Sequence, residues 1–195
     1  IDNPINQELR SRFGCSEKGI LLLAVGRLAA RKGYGYLLKA FALVNAELPN
    51  SSLVIVGRGH LRTRLLKQAE KLGISSSVYI ESSMSFLELA SLFRSADLTI
   101  YPSYYEGQGL IPLESMSSGT PVVTVNHGPL PEMVDSTVGA LFTMGDINSM
   151  SSTILDEIKD KKMLKKKGIA GRKRVTENFT YEIDADYFIK IYNRV

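Results

Sequence analysis

The stretch Ile20–Val25 reads ILLLAV, six apolar residues in a row without polar alternation, and it stops at Gly26. A strand with one wet face alternates, whereas an unbroken run of this kind belongs to a strand covered on both faces, as in a parallel sheet between layers of helices. The residues that follow change period. Leu37, Leu38, Phe41, Ala42 and Val44 fall near helical spacing, and Pro49 and Asn50 end the pattern. The alternation then repeats: LVIV before Gly57, a polar helix over about 61–72, VYI near Val78, a helix through FLELASLF, LTIY, a helix over 111–117, and PVVTV from Pro121. Ser85 and Glu88 form a capping box, with Met84 placed to staple onto Leu89, so that helix start is well specified. Strands alternating with helices through short loops predict an α/β, Rossmann-like, doubly wound parallel sheet with helices on both faces. The tail from Ile147 reads as mostly helical, ending in an amphipathic element over 179–192.

A chain of 195 residues, 44% hydrophobic and 23% charged, suits one α/β domain with a large core. Residues 1–18 read as a lead-in segment. Cys15 is the sole cysteine, which excludes a disulfide framework and makes a cytoplasmic setting the default. His60 and His127 are too few to build a metal site, and no run is long enough to span a bilayer. The triplets at Asn50 and Asn178 match the glycosylation pattern but carry weight only in a secreted chain. The net charge of +4 would suit an anionic partner, yet nine basic residues and one acidic residue fall between Lys159 and Arg174. With no interleaved aromatics, a solvated helix face is preferred there to a nucleic-acid or lipid surface.

Ligands of open parallel sheets bind outside the carboxyl ends of the strands, and every distinctive loop leaves such an end. These loops are GRLAARKG after ILLLAV, GRGH after LVIV, PSYYEGQG after LTIY and NHGPLPE after PVVTV. Gly107 and Gly109 allow a close backbone approach, and the helix that follows would aim free N–H groups near Gly109 and Leu110 at an anion. Arg27 and Lys32 supply cations, with Gly33 permitting a tight bend beside them, a set that fits a diphosphate. Glu114, on the first turns of the helix, can grip two adjacent hydroxyls as acidic residues grip a ribose. Glu106, ahead of the helix, would face whatever lies beyond the phosphates.

Each residue has a plainer reading. Arg27 or Lys32 alone is as easily a solvated side chain, and Glu106 and Glu114 are equally a helix N-terminal charge and an exposed helical glutamate. Gly57 and Gly59 make a lone G-x-G without the third glycine of the dinucleotide fingerprint, and no Walker lysine is present. His127 reads as a surface residue, Tyr104 and Tyr105 as packing or stacking groups, and Asp184 with Asp186 as a solvated helix face.

The ordered motifs VGRLAARKGYGYLLKAF, LVIVGRG, SADLTIYPSYYEGQGLIPLESMSSGTPVV and GPLPEMV, across about residues 18–145, resemble the donor-binding C-terminal domain of retaining GT-B glycosyltransferases. The resemblance is to the group 1 enzymes, family four, and its most specific part is the pair of glutamates with seven residues between them and SSGTPVV behind. It implies that the chain is one half of a GT-B fold, a single nucleotide-sugar-binding domain over 1–195. Glu106 would engage the donor sugar and Glu114 the ribose. Arg27 and Lys32 would hold the diphosphate, and Gly26, Gly57, Gly107, Gln108, Gly109 and Leu110 would contact the donor. The implied reaction moves a hexose from a nucleoside diphosphate sugar to a hydroxyl acceptor with retention, with no cofactor and no metal. The implied partners are the donor and a missing N-terminal acceptor domain, to which the helix over 179–195 would cross back. Nucleic acid is not among them; peripheral membrane contact belongs, if anywhere, to the full-length enzyme. Gln108 stands where the family often has an aromatic, and Glu81 and Ser82 where it often has a glycine. The alternatives are a non-catalytic nucleotide-sugar-binding or interaction module and a glycoside hydrolase using the paired carboxylates, a chemistry that leaves Arg27 and Lys32 idle.

Overall fold

The computed structural model describes residues 5–193, apart from the side chains of Asp184 and Asp186. Six strands, β1 (Ile20–Val25), β2 (Ser51–Val56), β3 (Val78–Glu81), β4 (Leu98–Tyr101), β5 (Val122–Val125) and β6 (Gly139–Phe142), form one sheet. The order is β3-β2-β1-β4-β5-β6, and all five pairings are parallel. The helices are α1 (Gln7–Arg12), α2 (Tyr34–Glu47), α3 (Arg62–Lys71), α4 (Phe86–Ser95) and α5 (Leu110–Ser117), then α6 (Leu130–Met133), α7 (Ile147–Ile158), α8 (Lys161–Asn178) and α9 (Tyr181–Tyr192). The doubly wound sheet expected from the apolar runs is therefore present.

The lack of alternation in β1 has a direct cause. Leu22 and Ala24 enter one hydrophobic cluster with α2, while Leu21, Leu23 and Val25 enter a second on the opposite face with Leu92 and Phe93 of α4. Every residue of β1 is buried. β2 begins earlier than its apolar run because Ser51 and Ser52 are buried members of the strand, and Asn45 of α2 donates to the Ser51 hydroxyl at 3.1 Å. The capping box of α4 is formed by Ser85 and Glu88, and Met84 and Leu89 pack on the same cluster.

The sequence did not reveal β6. Its four residues, GALF, carry neither a long apolar run nor clean alternation, and the strand exists because Gly139 lacks a side chain. A Cβ on Gly139 would lie 1.9 Å from the Val122 carbonyl oxygen of β5. The basic run of α8 is only partly a solvated face. Lys167 donates to the Gly139 carbonyl at 3.0 Å and pairs with Glu157, and Arg174 pairs with Asp135 at 2.7 Å. These contacts fasten α8 to the β6 side of the sheet.

The lead-in segment contains α1, packed beside α4. The Arg10 guanidinium, 3% exposed, donates to the Ser95 carbonyl at 2.7 Å, to Asp97 at 2.9 Å and to the Gly19 carbonyl at 2.8 Å. Asp97 in turn accepts from the Leu21 N–H at 2.7 Å, so a buried charge pair ties the segment to the amino ends of β1 and β4. α9 carries Asp184 and Asp186, whose side chains lie outside the described residues.

Candidate donor site at the sheet switch point

The chain winds one way from β1 to β2 and β3, and the other way from β4 to β6, so the connections part between β1 and β4. In a doubly wound sheet this split opens a crevice at the carboxyl edge. The loops that leave β1 and β4 meet there.

After β1, Gly26 and Gly57 stack backbone on backbone: a Cβ on Gly57 would lie 1.9 Å from the Gly26 carbonyl oxygen. Gly26 itself has φ 142°, and a Cβ there would lie 2.9 Å from the Tyr34 hydroxyl, so both positions call for glycine within the protein. Leu28 anchors the loop by burial, and a short turn over Ala30–Lys32 carries Lys32 over the crevice. Gly33 closes the turn with φ 70°, where a Cβ would meet the Pro102 carbonyl at 2.1 Å. The two loops are laced together further by the Tyr104 N–H, which donates to the Arg31 carbonyl at 2.9 Å.

Lys32 and Glu106 form an ion pair across these loops, with side chains 11% and 13% exposed. The Ser103 hydroxyl also donates to Glu106. Tyr101, the last residue of β4, is buried, and its hydroxyl accepts from Lys32 Nζ at 3.0 Å while the ammonium stands 5.2 Å from the ring centroid. Burial pushes the Glu106 carboxyl up, but hydrogen bonds from Lys32, Ser103 and Tyr101 outweigh it and hold the group below the usual carboxylate range. Burial first, then the Glu106 carboxylate, keeps the Tyr101 phenol protonated far above its ordinary range.

Gly109, with φ 83°, precedes α5 and leaves the helix start without a side-chain cap. The N–H groups of Leu110 and Ile111 are free of intrahelical partners by position, and Pro112, third in the helix, has none to offer. An uncapped N-terminus beside a lysine is an anion seat. Gly107, Gln108 and Leu110 are exposed around it. Glu114 is on the exposed surface of α5, yet the protein around its carboxylate displaces enough water to raise its pKa. Arg27 is exposed at the rim; its carbonyl accepts from the Ala29 N–H at 2.8 Å, and its guanidinium has no hydrogen-bond or ion-pair partner among the described residues.

The structure therefore brings Lys32, Glu106 and the start of α5 together, with Glu114 one turn along the helix. His127 is exposed on the loop after β5, and Tyr104 packs edge-on against Tyr36 with ring centroids 5.4 Å apart. Sequence reasoning missed Tyr101 and Ser103. The available signal was a phenol closing a wholly buried strand at the ligand edge. Among the described residues, no group of three or more His, Cys, Asp or Glu could hold a metal ion, and no helix is long and apolar enough to cross a membrane.

A doubly wound sheet whose switch point carries a lysine, a carboxylate and an uncapped helix start belongs to the Rossmann-like class of nucleotide-binding folds. The sequence pattern described as Glycosyl transferases group 1 matches residues 6–174, and the chain belongs to that family. It is 29% identical over 184 residues to the glycogen synthase of Mycobacterium tuberculosis, covering 94% of this chain and 44% of that protein. Sucrose-phosphate synthase from Thermosynechococcus elongatus superposes with a TM-score of 0.85 at 27% identity, over 96% of this chain and 48% of that one. Anabaena HepE, solved in complex with UDP and glucose, superposes with a TM-score of 0.86 over 97% of this chain and 52% of that one; at 21% identity the likeness is one of fold, the GT-B half-fold. The chain spans about half the length of the curated relatives it matches.

Proposed function

We propose that this chain is the donor-binding half of a retaining glycosyltransferase that moves a hexose from a nucleoside diphosphate sugar to a hydroxyl acceptor, the acceptor being held by an N-terminal domain. The observation that carries the reading is the Lys32–Glu106 pair set beside the uncapped start of α5 at the switch point. In the free site the two charges neutralise one another. A diphosphate competes for Lys32, and the hydroxyls of its sugar offer new partners to Glu106, so the donor divides the pair between its two parts.

The Leu110 and Ile111 N–H groups, Lys32 and Arg27 then face the diphosphate. Negative charge grows on this group as the sugar departs, and preorganised donors in a partly dry site stabilise it. Glu106 orients the sugar and favours the positive charge developing at its reacting carbon. A departing phosphate oxygen receives the acceptor's proton on the same face, which retains the anomeric configuration. Glu114 grips the ribose and contributes binding rather than chemistry. Gly26 and Gly57 bring their strand ends close enough to form the floor, and Gly107 and Gln108 border the sugar. The binding-module alternative keeps the same site without the transfer step, and only assay of the full-length protein separates the two. Family membership and the engagement of Glu106 by Lys32 both weigh against the hydrolase.

The test is calorimetric titration of the chain with UDP, GDP and ADP, beside Glu114→Ala. One nucleotide should bind preferentially and lose about tenfold or more in affinity in the variant, as expected for a charged group hydrogen-bonded to hydroxyls. No binding of any nucleotide by the folded chain, or binding untouched by the substitution, would remove the support for this reading.

A further inference from the structure

We propose that Tyr101 is a positioning residue of the donor site: its phenolic oxygen accepts from the Lys32 ammonium while its own proton is left to point towards Glu106, so one strand-borne hydroxyl sets where both charged groups stand. The inference rests on the donor-site reading above and deepens it.

Lys32 ends a short turn, and Glu106 belongs to a loop between β4 and α5. Neither group is on a strand or an α-helix, and lysine in particular has a long flexible stem. Tyr101, by contrast, ends a strand paired on both sides of the sheet and is 3% exposed. A site on a rigid element holds geometry better than one on loops, and a loop-borne group gains precision from a rigid neighbour. Tyr101 provides this in two ways, through the hydroxyl at 3.0 Å and through the ring at 5.2 Å from the ammonium. A phenylalanine or leucine would satisfy the burial of β4 equally well, and a buried hydroxyl without partners destabilises. The oxygen is therefore explained by the Lys32 ammonium it accepts from at 3.0 Å, with the Glu106 carboxylate as the acceptor for its own proton. Hydrogen-bond inventory agrees: a phenol has one proton to give, and because Lys32 has only protons to offer, that proton is free for the carboxylate. When a donor draws Glu106 towards the sugar, the ring and phenolic oxygen still hold Lys32 over the diphosphate seat.

The experiment is Tyr101→Phe, which keeps the ring and removes only the hydroxyl. Glu106 is titrated by carboxyl carbon NMR in the ligand-free chain, with thermal unfolding run in parallel. The Glu106 ionisation constant should fall by about tenfold in the variant, the effect of losing one hydrogen bond to a charged group. An unchanged Glu106 titration in a folded variant would overturn the proposal, as would a lowered unfolding temperature with the titration unmoved, since that marks a purely structural residue. In calorimetry, UDP and UDP-glucose should both bind the variant several-fold more weakly, because Lys32 is less well held. If the wild-type chain binds neither compound while the titration shifts, the coupling through Tyr101 is supported and it is the donor-site reading that fails.

Discussion

Replacing Lys32 by methionine removes one half of a mostly buried ion pair and leaves Glu106 behind. Two outcomes are open to that carboxyl. It can stay ionised with only Ser103 and Tyr101 as donors, or it can take up a proton. The second route sets a ceiling on the damage, because a carboxyl with an ordinary value of 4.5 that must be neutral at pH 7 costs about 3.4 kcal/mol, at roughly 1.36 kcal/mol per pH unit. Breaking a buried pair by removing one partner typically costs 3–5 kcal/mol, so the ceiling and the precedent agree in scale. At pH 5 the same ceiling falls to about 0.7 kcal/mol. The sign follows from linkage. In the wild type the folded-state value of Glu106 lies below its unfolded value, so its contribution is present above about pH 4.5 and is lost as pH falls through the folded value. In the variant the folded value rises above the unfolded one, and the penalty fades as pH drops towards the ordinary range. Urea unfolding of Lys32→Met at pH 7 and pH 5, with the Lys32→Met/Glu106→Gln double variant, measures this. The double variant should regain much of the loss at pH 7. A loss equal at both pH values, or equal in the single and double variants, would show that Glu106 is not the group left stranded and would refute the reasoning.

Two further perturbations test the frame around the site. Gly33→Ala should splay the β1 and β4 loops, because the new Cβ meets the Pro102 carbonyl at 2.1 Å and the residue sits at φ 70°; a loss of about 2 kcal/mol or more in urea unfolding, together with loss of nucleotide binding, is expected. Arg174→Met removes the main group that holds the Asp135 carboxyl down at about 2, with Thr137 assisting. Because that value is depressed, the stabilisation is present above the unfolded value of 3.8 and vanishes as pH falls towards 2, so the variant's acid unfolding should begin at higher pH and lose its dependence in that window.

The sheet was legible because β1 cannot be anything but doubly covered, and the crevice followed from which loops leave the carboxyl edge. β6 was not legible, because its presence depends on a close approach at Gly139 rather than on any apolar pattern. Gly26 and Gly57 were read for a ligand; inside the protein a side chain on Gly57 is already barred by the Gly26 carbonyl, and one on Gly26 by its φ of 142° and the Tyr34 hydroxyl. Lys32 and Glu106 were named separately, yet nothing local in the chain shows that groups 74 positions apart become a pair. Tyr101 was absorbed into a strand by its neighbours Leu98 and Ile100, because burial of its ring satisfies the same pattern as burial of an aliphatic side chain. Arg10 hides for the opposite reason: a charged residue in a short polar helix gives no sign that three oxygens wait for it inside.

The Arg10 fastening also fixes how the domain would take mechanical load. A pull on the chain ahead of α1 is borne at Ser95, Asp97 and Gly19, which stand at the roots of β4 and β1. These two strands carry the pocket at their far ends. Tension from the N-terminal side is thus delivered along the pair of stiff rods that frame the crevice, and the outer strands flank that line, β2 and β3 on one side and β5 and β6 on the other.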